Sequence, residues 1–244
     1  MKSLRIGMWS GPRNISTAMM RAWENRPDCA VSDEPLYAAY LAMTGSDHPG
    51  REEIIAAGDT DWRHVANALL GPVPGGKPVW YQKHMAHHLL PDMDHDWIHG
   101  LHNVFLIRDP DEVVSSYLRS RATVAAADIG LLQQAELFDE LAQASGSPPM
   151  VIDSGDFLAD PETFLRALCD LVGIEFTGRM LHWPAGPRDS DGVWAPHWYA
   201  TVWQSTGFEP PSARPAPALE GAARAVADAC RPAYEKLRAV RLRP

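Results

Sequence analysis

Five short apolar runs, each closed by a turn signal and separated by stretches of helical periodicity, constrain this chain more than any single motif. The runs cover residues 4–9, 29–32, 79–83, 103–107 and 150–153. The first stops at Ser10-Gly11-Pro12, the second at Asp33-Glu34-Pro35 and the fourth at Arg108-Asp109-Pro110. Gly75-Gly76-Lys77-Pro78 precedes the third. Helical spacing of Ile15, Met19 and Ala22 or Trp23 predicts a helix over 15–23, and further helices are expected near 51–70, 111–121, 129–144 and 160–172. Strand alternating with helix predicts an α/β fold, a three-layer parallel sheet flanked by helices on both faces. In such sheets the strand C-termini form the ligand crevice. Arg13, Glu34, His84 and Arg108 each follow a strand, so four runs deliver polar chemistry to one edge.

The chain has 244 residues, enough for one large domain, and 1–244 is read as a single unit. Beyond residue 176 its character changes. Residues 183–211 are rich in Trp, Pro and Gly, and 209–218 reads as a Pro-rich connector to a C-terminal helix at 219–240. This aromatic and Pro-rich extension has two readings: a wall or lid for a ring-bearing ligand, or packing of the tail onto the sheet.

A net charge of −9 argues against polymeric nucleic acid as a partner. A small anion stays open, because a local cluster of Arg and backbone N–H groups can oppose the global sign. Cys29, Cys169 and Cys230 are too scattered for a disulfide framework and suit a reducing cytoplasm. No run approaches the ~20 apolar residues of a membrane span. A homodimer is left open.

Two motifs carry chemistry. The first is Gly11-Pro12-Arg13-Asn14-Ile15-Ser16-Thr17, between a strand and a helix. Helix N-termini offer free N–H groups to phosphate, Arg13 adds a permanently charged fork, and Ser16 and Thr17 add hydroxyls. The Gly-Lys pair of a Walker A loop is missing. An ordinary capped turn is the competing reading. The second is a strand ending in Arg108, with Ser116 eight residues on, about two turns into the next helix. Both can reach one phosphate over the sheet edge. Alternatively Asp109 is a cap and Arg108 a structural ion pair.

Together and in this order, the two motifs resemble the sulfotransferase superfamily, which uses 3′-phosphoadenosine-5′-phosphosulfate. The family's first loop reads Pro-Lys/Arg-Ser-Gly-Thr/Ser-Thr/Ser, and Pro12-Arg13-Asn14-Ile15-Ser16-Thr17 is similar to it, with Ile15 at the glycine position. That difference predicts a modified backbone path. The resemblance implies that Gly11 to Thr17 hold the 5′-phosphosulfate and that Arg108 and Ser116 hold the 3′-phosphate. It extends through Asp160-Pro161-Glu162 to Gly173-Ile174, and it is pronounced for a bacterial group carrying Asp-Glu-Pro and Asp-Gly-Val-Trp segments.

Tyr81-Gln82-Lys83-His84-Met85 resembles the family segment that carries the general base, which implies that role for His84. A neutral imidazole suits it. Glu34 rivals His84 as the base or orients it. Either could instead be structural. The run His84, His87, His88, Asp92, Asp94, His95, Asp96, His99 fits no zincin or zinc-finger spacing, so no metal is expected.

The resemblance implies sulfuryl transfer from 3′-phosphoadenosine-5′-phosphosulfate to a hydroxyl or amine of a small-molecule acceptor, with Arg13 stabilising the leaving oxygen. Two alternatives stand: a P-loop kinase or other nucleotide phosphotransferase, and a non-catalytic nucleotide-binding protein on the same scaffold.

Overall fold

The computed structural model describes residues 3–210 and 218–244. Its centre is a five-stranded parallel sheet in the order β2-β3-β1-β4-β5. The strands are β1 (Leu4–Ser10), β2 (Cys29–Asp33), β3 (Val79–Met85), β4 (His102–Ile107) and β5 (Met150–Asp153). β1 lies in the middle, paired with both β3 and β4. From β1 the chain crosses to the edge strand β2 and returns through β3 beside β1, then winds the other way through β4 and β5. The loop after β1 therefore sits where the winding reverses, the usual crevice of an open parallel sheet.

Alternation along the strands divides the core. Ile6, Met8, Tyr81, Val104, Leu106 and Ile152 face one layer. Trp9, Trp80, Phe105 and Val151 face the other. Both faces are covered, which explains why the strands read as near-continuous apolar runs rather than as alternating ones.

The first layer is packed by α1 (Ser16–Glu24), through Met19, Met20 and Trp23, and by α9 (Pro161–Leu171), through Phe164, Leu165 and Leu168. The second is packed by α4 (Trp62–Leu70), α7 (Leu131–Ser145) and α12 (Gly221–Ala239). In α12 the buried Ala227, Cys230, Tyr234 and Leu237 recur at three and four residues, one helical face. Arg231 clamps Asp109 with bonds of 2.7 and 2.9 Å, and Tyr234 donates to Asp153 at 2.7 Å, so α12 is tied to the strand ends.

The remaining helices are α2 (Tyr37–Thr44), α3 (Arg51–Ala57), α5 (Pro110–Tyr117), α6 (Ala126–Ile129), α8 (Ser154–Ala159), α10 (Ala195–Trp198) and α11 (Ala200–Gln204). The single helix expected over 51–70 is two, because the chain leaves helical geometry at Gly58 and restarts at Asp61, whose side chain accepts from Arg63 N–H at 2.9 Å. The helix expected over 129–144 is α7, which left-handed Gly130 separates from the short helix before it. The expected connector at 209–218 falls largely on residues 211–217, outside the described residues. A separate apolar cluster joins α2 and α3 to the tail through Tyr37, Leu41, Ile54, Trp194 and Tyr199.

Candidate active site

A cavity of about 990 Å³ opens above the C-terminal ends of the strands. Pro12 to Ala18, Glu34, Lys83, Arg108 and Ser116 line it, so the sheet gathers four of its strand ends around one space. The cavity has an anion-seeking side and a carboxylate side.

The anion-seeking side starts with the loop after β1. Gly11 is required there, because a Cβ on it would lie 2.1 Å from the Ile129 carbonyl oxygen. Arg13 takes the left-handed turn at φ 57°, a conformation costing non-glycine residues about 1–2 kcal/mol. Ile15, in contrast, has an unstrained φ of −85° and packs its side chain against the α1 layer. Asn14 ties the loop to the Leu106 carbonyl at 3.0 Å. No side chain caps α1, so its first N–H groups face the cavity open to an anion.

Above that helix end, Arg13 Nε donates to Ser116 Oγ at 3.0 Å, and Arg119 Nη2 donates to the same oxygen at 2.9 Å. Neither guanidinium has a carboxylate partner among the described residues. Burial, then the like charges of Arg119 and Arg108, hold the Arg13 pKa below the ordinary arginine range, though a guanidinium remains charged. Arg108 makes the structural ion pair of its second expected reading, with Glu112 at 2.8 Å, and donates to the Arg13 carbonyl at 2.7 Å. Asp109 caps α5, accepting from Asp111 N–H at 2.9 Å.

The carboxylate side is built around Lys83, which is 1% exposed. Its Nζ donates to Glu34 Oε1 at 2.6 Å, to Asp33 Oδ1 at 2.7 Å and to Tyr199 Oη at 2.7 Å. All three ammonium protons are thereby used. Burial alone pulls the Lys83 pKa down, but Asp33 and Glu34 outweigh it and it stays charged. Tyr199 in turn donates to Asp33 at 2.7 Å and accepts from Trp194 Nε1 at 3.2 Å. Gly192 N–H reaches Asp33 at 3.3 Å, and a Cβ on Gly192 would strike the Trp194 ring at 2.2 Å. The Asp-Gly-Val-Trp segment is thus the brace of this network. Its Asp191 holds buried Arg21 at 2.5 Å and Trp203 Nε1 at 2.9 Å.

Of the two carboxylates on Lys83, Glu34 is the one that lines the cavity. Its Oε1 is taken by Lys83, while Oε2 lies 4.0 Å from His88 Nδ1. Burial, and less strongly Asp33, raise its pKa; Lys83 opposes them. A raised carboxylate pKa near a cavity is a signature of acid–base chemistry.

His84 is not brought to this cavity. Period-two alternation turns it to the opposite face from Lys83, where its ring stacks on Trp9 at 4.4 Å and 18°. It is 1% exposed, its one polar neighbour is Gln82 at 3.4 Å, and burial pushes its pKa down to about 3. His87 and His88 line the cavity instead. His88 is stacked between Tyr37 at 4.5 Å and Tyr40 at 4.7 Å, and burial holds it neutral. Among the described residues no group of His, Cys, Asp and Glu is arranged to hold a metal, and no helix is long and apolar enough to cross a membrane. Of the tail tryptophans, Trp183 packs in the core and Trp198 lines the cavity, so both readings of that segment hold in part.

Arg119 and Tyr199 were not singled out from sequence, and Lys83 and His88 were named only within longer segments. Arg119 could have been, since it follows Ser116 by three residues, one helical turn. Tyr199 could not, because nothing local marks its distant partner.

The network makes a stability prediction. Tyr199→Phe takes one of three acceptors from Lys83 and one donor from Asp33, and leaves the Trp194 Nε1–H as the one group stripped of its partner. Thermal unfolding should fall by roughly 2–12 °C, from about 1–3 kcal/mol per unsatisfied buried group and about 2–4 °C per kcal/mol at this size. An unchanged midpoint would remove the hydroxyl from the brace.

A family model described as a sulfotransferase domain matches residues 4–241. Branched-chain-amino-acid aminotransferase-like proteins 2 and 1 of Arabidopsis thaliana are 36% and 37% identical over 210 residues, covering 86% of this chain and 37% of each of them. The chain therefore spans just over a third of the length of these curated relatives. Among solved structures, a sulfotransferase from Alicyclobacillus acidocaldarius superposes with a TM-score of 0.54 at 14% identity, covering 97% of this chain and 95% of that one. The sulfotransferase domain of the Synechococcus PCC 7002 olefin synthase gives 0.51 at 14% identity, with 94% and 95% covered. At such identity these structures show the fold alone.

Proposed function

The chain belongs to the sulfotransferase domain family, and on that premise we propose that it moves a sulfuryl group from 3′-phosphoadenosine-5′-phosphosulfate to a hydroxyl, or an amine, of a small-molecule acceptor. The observation that carries the reading is the convergence of Arg13 and Arg119 on Ser116 above an uncapped helix end, with no carboxylate to satisfy them. A half-buried cation such as Arg13 is costly without a counter-ion, and an anionic ligand relieves it. This concentration of cations also runs against the overall charge of −9.

In this reading the open N–H groups of α1, the hydroxyls of Ser16 and Thr17, and Arg13 hold the 5′-phosphosulfate. Arg108, Ser116 and Arg119 hold the 3′-phosphate and fix register. Glu34 Oε2 accepts the acceptor's proton as its oxygen attacks sulfur. The new O–S bond forms as the bond from sulfur to the 5′-phosphate oxygen breaks, and adenosine 3′,5′-bisphosphate leaves. The charge growing on that oxygen falls under Arg13 and the helix end. Positioning and fixed electrostatics therefore supply the catalysis, as in phosphoryl transfer.

Calorimetry tests the donor half. Adenosine 3′,5′-bisphosphate should bind without Mg²⁺, and Arg108→Ala should weaken it by roughly 10- to 100-fold, the loss of about 1.5–3 kcal/mol from charge-assisted hydrogen bonds. Binding of ATP that requires Mg²⁺, with no binding of the bisphosphate, would favour a phosphotransferase. Bisphosphate binding with no transfer to any alcohol or amine would leave a binding protein.

A further inference from the structure

One cation of the cavity is used by neither half of this scheme. Arg121 follows α5 and is half-buried on the cavity wall. Its neighbour Arg119 turns to Ser116, but Arg121 turns the other way, with its guanidinium carbon 5.5 Å from the Trp198 ring centroid. Its single hydrogen bond among the described residues is a long one, 3.4 Å from Nη1 to the Asp47 carbonyl. Its Nε is buried without a partner. No carboxylate pairs with it among the described residues. Asp128, on the same wall, is committed to the Ala125 N–H at 2.8 Å.

The surroundings of Arg121 are aromatic. Tyr37 shares a 2.7 Å hydrogen bond with His48, and Tyr37 and Tyr40 both stack on His88, whose Nδ1 faces Glu34. After burial, Arg121 is the main cause that holds the His48 imidazole below its ordinary range, so its charge is felt across this wall. A guanidinium pinned over an indole presents its edge as a rigid fork, which matches a carboxylate. From Glu34 to Arg121 the wall thus runs from a proton acceptor, past flat aromatic rings, to an unpaired cation.

We propose that the acceptor is an anionic hydroxy compound, a carboxylate at one end and the nucleophilic hydroxyl at the other, with Arg121 as the residue that selects the carboxylate. This rests on the sulfuryl-transfer reading, in which Glu34 receives the hydroxyl proton. Arg121 acts in specificity and positioning, at the end of the acceptor remote from sulfur.

The test is a set of calorimetric titrations on the intact protein without nucleotide. The probes are para-hydroxyphenyl and straight-chain hydroxyalkyl carboxylic acids of graded length, each paired with its primary amide. At least one acid should bind about 10-fold or more tightly than its amide. Arg121→Gln should erase that preference while keeping adenosine 3′,5′-bisphosphate affinity within about twofold, which also reports a folded site. Equal binding of acid and amide in every pair overturns the inference. So does an Arg121→Gln variant that loses bisphosphate rather than acid, since Arg121 then belongs to the nucleotide half. Failure of the sulfuryl-transfer reading shows separately, as a parent protein that does not bind the bisphosphate.

Discussion

Glu34→Gln is expected to lower turnover in sulfuryl transfer by roughly 10²- to 10⁴-fold, the range for loss of a positioned general base, with bisphosphate affinity nearly unchanged. The substitution is close to isosteric, and the amide oxygen can still accept from Lys83 at the position of Oε1, 2.6 Å away. Asp33 and Tyr199 continue to hold the ammonium. The variant should therefore fold while losing the basic oxygen that faces the cavity. The pH profile gives a second readout. A base works deprotonated, so activity should fall as pH drops through the Glu34 pKa. Burial, then Asp33, set that pKa above the ordinary carboxylate range. The acidic limb should be absent from any residual activity of the glutamine variant. Turnover within threefold of the parent would take proton transfer away from Glu34 and give it to a neighbour such as neutral His88, 4.0 Å from Oε2.

Arg13→Met is the second large effect. It removes the charge that sits over the open end of α1 and should cost roughly 10²- to 10³-fold in kcat, the usual loss for a donor aimed at a developing oxyanion. Ground-state binding of the bisphosphate should suffer much less, because Arg108, Arg119 and the helix N–H groups remain. Arg119 still donates to Ser116 at 2.9 Å, so the second phosphate position stays organised. Lysine at this position should recover only part of the rate, since a point charge replaces a planar fork. A loss confined to KM, with kcat intact, would mean that Arg13 binds the donor without acting on its leaving oxygen.

The sequence made the sheet legible because both its faces are buried. Strands such as β1 and β4 then appear as short apolar runs with a breaker at each end, and a helix must cross between parallel neighbours. The loop from Gly11 to Thr17 and the Arg108–Ser116 spacing were legible because each motif is local. Helix α2 was not, since Tyr37-Ala38-Ala39-Tyr40-Leu41 is apolar on several sides and carries no 3.6-residue stripe. Residue type also hid side-chain direction. His84 has the chemistry of a base, but one residue of strand register separates the cavity, where Lys83 meets Glu34, from the Trp9 stack. Ile15 looked like the altered element of its loop, whereas the unusual backbone belongs to Arg13, whose φ no sequence pattern announces.

The brace on Asp33 has a consequence for how the protein comes into being. The groups proposed to hold an anion lie between Gly11 and Arg119, whereas Asp33 waits for Tyr199, 166 positions later in the chain. A ribosome adds about 5–20 residues per second, so the donor side has its parts on the order of ten seconds before the acceptor side does. In that interval Lys83 and its two acids are a half-built cluster at the rim of a nascent sheet. Closing so long a loop is entropically slow. Vectorial synthesis would therefore assemble the parts of the proposed nucleotide cradle before those of the proposed reaction chamber, and α12, whose Arg231 clamps Asp109, would lock both afterwards.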